Sequence, residues 1–164
     1  MPSMQMEANQ LPREKGSYLL MLKLLGPKEI QVGKLGRIGF ERGWYAYAGS
    51  AFGPGGLAAR LNHHLQPVKK RHWHIDYLRD EAIAMEVWMA RGSPSREHAW
   101  ASILAKGPWA GKWVRGFGCS DCTCPSHLIY FNRRPGKDLI RDKLGAGIVW
   151  LQLTPESARL NLCR

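Results

Sequence analysis

Residues 44–65 read WYAYAGSAFGPGGLAARLNHHL, and within this stretch the periodicity of the chain changes. In WYAYAG, Trp44, Ala46 and Ala48 fall on one side of an extended chain and Tyr45 and Tyr47 on the other, the period of two of a strand. After the glycine-rich SAFGPGG, residues Leu57, Arg60, Leu61, His64 and Leu65 recur at helical spacing. A strand that turns through glycines into a helix commits the chain to a mixed fold. The corner has two readings. It is an ordinary strand–turn–helix connection, or it is where tyrosines, an arginine and a histidine converge on one phosphate. Gly53, Gly55 and Gly56 suit both, because glycines allow a tight turn and equally let backbone approach a ligand.

The rest of the chain supports a small α/β (α+β) domain with a mainly antiparallel sheet flanked by helices. GSYLLMLKLL is apolar, short and stopped by Gly26-Pro27, which reads as a buried strand. KEIQVGKL reads as a second strand, with Ile30 and Val32 on its apolar face, turned back by the LGP segment. Gln66-Pro67 stops the arginine helix, and HWHIDYLRD is a short helix or an extended loop. AIAMEVWMAR is a strand. SPSREHAWASILAK is a helix, capped by Ser93 or Ser95, with Ala99, Ile103 and Leu104 as its buried stripe. HLIYFNR is a closing strand. Residues 1–15 form an N-terminal arm, 16–135 the domain, and 136–164 an extension without a readable motif.

At 164 residues and 45% hydrophobic, the chain suffices for one domain with a real core. No apolar run reaches the roughly 18 residues of a membrane span, and the polar start lacks the apolar segment of a signal peptide. A cytoplasmic location without membrane contact is therefore expected. The net charge of +11 points to a polyanionic partner, with a merely soluble basic surface as the bland counterpart. Cys119, Cys122 and Cys124 crowd into a segment too tight for a disulfide framework, so reduced thiols or a metal site fit better.

The ordered blocks GSYLL, GWYAYAGSA, GGLAARL, HWHIDYL and GFGCSDC-C-SHLIYF, spanning roughly residues 16–133, resemble the GIY-YIG nuclease superfamily. They resemble more closely a branch of it found alone or fused to endonuclease III-like proteins. Two departures stand out. Twenty-eight residues (19–46) separate Tyr18 from Tyr47 and read as an additional hairpin, and Ser17 and Ala48 stand where isoleucine is usual. The resemblance implies metal-dependent endonuclease action on DNA, branched or damaged forms included. In it, Glu97 would hold a divalent cation, magnesium or manganese, and Arg60 would fork onto phosphate oxygens. Tyr18 and Tyr47 would lie beside the phosphate, one of them positioning or deprotonating water. Gly49 would let its strand bend close to the substrate. His64, one helical turn from Arg60, would pass a proton or bind phosphate.

Read one at a time, these residues have plainer roles: sheet tyrosines, a surface arginine, an acid favoured in a first helical turn. Lys69, Lys70 and Arg71 follow the arginine helix and would bind substrate, with His74 and Tyr77 as neighbours. His72 and His74 with Asp76 offer a ligand pair, or a hydrogen-bonded corner. Cys119-x-x-Cys122-x-Cys124-x-x-His127 has ligand types suited to zinc, and equally suits a packed loop with free thiols. Arg133 and Arg134, and Lys106, Lys112 and Arg115 around Trp109 and Trp113, would add affinity for a strand with accessible bases. Two other functions compete with the nuclease: a non-catalytic nucleic-acid-binding module that keeps the fold, and a zinc-stabilised protein-interaction domain.

Overall fold

The computed structural model describes residues 11–66, 70–92, 96–106, 112–119 and 122–153. Its strands are β1 (Gly16–Leu24), β2 (Lys28–Gln31), β3 (Arg37–Phe40), β4 (Gly43–Ala51), β5 (Ile83–Arg91), β6 (Lys112–Trp113), β7 (Leu128–Phe131) and β8 (Val149–Gln152). The helices are α1 (Gly56–Leu65), α2 (His74–Arg79), α3 (Arg96–Ala105) and α4 (Lys137–Leu144). Six strands form one sheet in the order β6-β7-β4-β1-β5-β8, and every pairing is antiparallel. The insert between the two tyrosines forms a separate β2–β3 hairpin, as its length suggested.

The sheet is covered on both faces, which is why β1 carries an almost unbroken apolar run. Tyr18, Leu20 and Leu22 join Tyr45, Tyr47, Val87 and Met89 on one face, under Leu57 and Leu61 of α1 and Ile75 and Leu78 of α2. Leu19, Met21, Ala46, Ala48 and Trp88 face the other way, onto Trp100 and Leu104 of α3 and Ile140 and Leu144 of α4. The period of two read from WYAYAG is thus the division between two cores.

Several elements differ from the sequence expectation. The second strand ends at Gln31, because Gly33 and Gly36 take positive φ of 45° and 83° and wind residues Gly33–Leu35 into a 3-10 turn. In α3 the buried residues are Trp100, Ala101 and Leu104, whereas Ala99 and Ile103 are exposed. The expected stripe was out of phase because Trp100 turns inward, where its indole N–H donates to the Leu144 carbonyl at 3.1 Å. Ser93 and Ser95, expected as caps, lie outside the described residues. HWHIDYLRD contains a helix, α2. In the C-terminal segment, α4 covers the sheet and β8 pairs with β5 along Glu86–Met89.

No side chain caps α1. Its first N–H groups are met by the preceding segment: Ala58 donates to the Pro12 carbonyl at 2.8 Å and Leu57 to that of Glu14 at 3.0 Å. Contact is so close that a Cβ on Gly56 would lie 2.2 Å from the Arg13 carbonyl oxygen, at a φ of 58°. The helix bearing Arg60 and His64 is positioned in this way over β1 and β4.

Candidate active site

Tyr18 of β1 and Tyr47 of β4 point to the same face, their ring centroids 6.3 Å apart. Tyr18 sits opposite Gly49 in the β1–β4 register. A Cβ on Gly49 would lie 2.4 Å from both the Cζ and the hydroxyl oxygen of Tyr18. Gly49 therefore makes room for the Tyr18 ring, a different reason from the strand bending expected of it. Tyr18 has no exposed surface and Tyr47 is 6% exposed.

Behind Tyr18 lies a chain of polar groups on α1 and α2. The Tyr18 hydroxyl is 2.6 Å from Nε2 of the buried His64. His64 Nδ1 is 3.5 Å from Oδ1 of Asp76. Asp76 is the third residue of α2, and its Oδ2 accepts the backbone N–H groups of His72 at 2.8 Å and Trp73 at 3.0 Å. His63 Nε2 is 3.2 Å from the same oxygen. Burial opposes ionisation of Asp76, but the bonds from His64, Trp73, His72 and His63 outweigh it and hold the carboxyl well below the usual carboxylate range. Burial raises the Tyr18 phenol well above its ordinary value, with Tyr47 adding to the rise and Arg60 partly offsetting it by charge and hydrogen bond. Tyr47 is also raised, by burial and then by the Glu97 charge, against Arg60.

The two phenols and the Arg60 guanidinium thus share one neighbourhood, and the Glu97 charge is felt there. Arg60 stands over the Trp73 ring, its guanidinium carbon 4.0 Å from the centroid. With Ala51, Gly53, Pro54, Gly56, His63 and Trp73 it lines a cleft of about 260 Å³. Glu97 comes from α3, on the opposite face of the sheet. Its charge acts on both tyrosines, while its carboxylate lies beside His98 and His127. Its side chain is 18% exposed.

The cysteine loop packs against Glu97. His98 Nδ1 lies 3.2 Å from Cys124 Sγ and 3.3 Å from His127 Nε2, and Cys122 Sγ is 3.5 Å from the same His127 nitrogen. His98, Cys122, Cys124 and His127 all bring a donor atom within 4.8 Å of one another. Cys119, expected among the zinc ligands, directs its thiol to the Phe117 carbonyl at 3.4 Å, and burial beside Cys122 pushes it up to about 12. Burial lowers His127 to about 4, with His98 adding to the drop and a hydrogen bond to the Ala48 backbone opposing it. His98 is the member that sequence reasoning missed. Its one signal was its place beside Glu97, in the same helical turn.

Of the expected substrate-binding residues, Lys70 is exposed and Lys69 lies outside the described residues. Arg71 is paired to Asp80, its Nε donating to Oδ2 at 2.8 Å, and lies over the Tyr77 ring. His74 accepts the Gly118 backbone N–H on Nδ1 at 2.9 Å, tying α2 to the cysteine loop, and burial lowers its pKa. Arg134 pairs with the buried Glu86 at 3.1 Å. Trp113 is 42% exposed beside Lys112, which is itself paired to Glu41, and Trp109 lies outside the described residues. No helix among the described residues is long and apolar enough to cross a membrane.

The family described as “Domain of unknown function DUF123” matches residues 17–146. The chain matches no curated protein and no solved structure.

Proposed function

We propose, for a chain that belongs to the DUF123 family, a metal-dependent endonuclease that hydrolyses phosphodiester bonds in DNA and is related to the GIY-YIG nucleases. What supports this reading is the packing of Tyr18 against Tyr47 and His64, the hydroxyl of Tyr18 lying 2.6 Å from His64 Nε2, with Arg60 bonding toward Tyr18 and the Glu97 charge acting on both phenols.

Hydrolysis requires a water to lose a proton while charge builds on the phosphate. Both phenols are neutral near pH 7, since burial raises each of them. A neutral phenol takes a proton from water only as it gives up its own. His64 Nε2 is placed to receive that proton, and the Asp76 carboxylate behind it stabilises the resulting imidazolium. Tyr18 is then a shuttle and His64 the acceptor. Tyr47, packed beside Tyr18 and slightly exposed, would orient the water. Arg60 lines the cleft and also bonds toward Tyr18, so its movement onto a phosphate oxygen would uncover the Tyr18 hydroxyl. A partly exposed carboxylate such as Glu97 fits magnesium or manganese, which bind through one or two carboxylates together with waters and substrate phosphate. When bound, the cation neutralises charge on the phosphate. The net charge of +11 supplies attraction to DNA without sequence choice.

The test is incubation with single-stranded, duplex, branched and damaged DNA in magnesium or manganese. Glu97→Ala and Arg60→Ala are each expected to lower cleavage by about 10²–10³-fold while the circular dichroism spectrum is kept. The complete burial of Tyr18 favours a second reading, a non-catalytic nucleic-acid-binding module. Binding of every DNA form with cleavage of none establishes that second reading in place of the first.

A further inference from the structure

We propose that the chain carries a tetrahedral thiolate–imidazole zinc centre, built from His98 of α3 and from Cys122, Cys124 and His127 of the loop leading into β7. This centre is distinct from the cation proposed for Glu97, which is not among its four ligands. Zinc with Zn–N of about 2.0–2.1 Å and Zn–S of about 2.3 Å has nitrogen–nitrogen edges of about 3.3–3.4 Å and nitrogen–sulfur edges of about 3.5–3.6 Å. The separations here are 3.3 Å between His98 Nδ1 and His127 Nε2, and 3.2 and 3.5 Å for the two nitrogen–sulfur contacts. Hydrogen bonding alone does not account for them. Three contacts share two ring nitrogens, and each nitrogen offers either one proton or one lone pair. A single cation takes all four lone pairs at once.

The surroundings match what a bound imidazole requires. With His98 Nδ1 and His127 Nε2 on the ion, each ring's other nitrogen is left over. His98 Nε2 lies 3.5 Å from Glu97 Oε1, and His127 Nδ1 lies 3.8 Å from Glu97 Oε2. Both rings thus face one carboxylate, His98 at the limit of hydrogen-bond range and His127 just beyond it, so a small shift on metal binding would bring either N–H onto Glu97. The centre joins α3 to the cysteine loop and sets the direction of Glu97. The zinc site stands independently of the hydrolase reading, and only the use made of Glu97 rests on that reading.

The experiment is elemental analysis of protein purified without added zinc, with X-ray absorption of the bound metal and cobalt(II) replacement. The expected results are about one zinc per chain, a shell of two sulfurs and two nitrogens, and the thiolate charge-transfer bands of tetrahedral cobalt. Cys122→Ser and His98→Asn should each reduce retained zinc to less than about a tenth, whereas Cys119→Ser should keep it. Glu97→Gln should weaken zinc about 10-fold against a chelator. Wild-type protein that is metal-free and gives only octahedral cobalt overturns the centre. A three-sulfur shell, or Cys119→Ser losing zinc as fully as Cys122→Ser, overturns the ligand set. An unchanged affinity in Glu97→Gln overturns the coupling to Glu97. If a ligand variant does not fold, the wild-type spectra decide, and none of these readings depends on DNA cleavage.

Discussion

Gly49 and Asp76 show how much the site asks of single positions. At Gly49 the constraint is volume, because a methyl group would meet Tyr18 ring and hydroxyl atoms within 2.4 Å. Gly49→Ala should therefore push Tyr18 off His64, cost about 1–3 kcal/mol in urea unfolding and reduce cleavage more than DNA affinity. Asp76 is held ionised against burial by four hydrogen bonds, so its folded pKa lies below its unfolded one. That lowered pKa contributes stability that is complete above the unfolded value of about 3.9 and disappears as pH falls toward the folded value. Unfolding followed from pH 5 to pH 2 should show a steep loss in the wild type. Asp76→Asn should be less stable at pH 5 and show a flatter profile. A profile as steep in Asp76→Asn as in the wild type would assign the acid sensitivity to other carboxylates.

Among the elements, those with a strong period were readable and those defined by their neighbours were not. β4 and α1 have apolar spacing that matches their geometry and β1 a long apolar run, whereas Tyr18, Tyr47 and Arg60 are singled out by the resemblance and not by their spacing. β6 has two residues and β8 has four, both at sheet edges, so neither carries a pattern long enough to see. The phase of α3 was misjudged because the contact of Trp100 with Leu144 is tertiary. His98 was missed for the same reason: its partners are distant in sequence and only the fold brings them near. The buried Glu86 of β5 accepts the Trp150 indole N–H at 2.7 Å and pairs with Arg134, so β8 is fastened as well as paired. A chain ended after Gly136 should lose cooperative thermal unfolding, since Trp88, Trp100 and the β5 edge become uncovered. Trp150→Phe should cost about 1–3 kcal/mol by leaving the Glu86 carboxylate short of a donor.

Taken as one body, the molecule holds its net charge of +11 unevenly committed. Arg71 and Arg134 are tied to Asp80 and Glu86, whereas Lys70 is exposed. DNA affinity should fall linearly with the logarithm of salt concentration, and Lys70→Ala should reduce that slope by about 1. Arg134→Ala should change the slope less and unfold the protein more easily, which fluorescence anisotropy and thermal denaturation would separate. The first turn of α1 donates its backbone N–H groups to the carbonyls of Pro12 and Glu14. The pose of the helix that carries Arg60 accordingly depends on the backbone of residues 12–14, so a change there would act on the cleft from outside its lining.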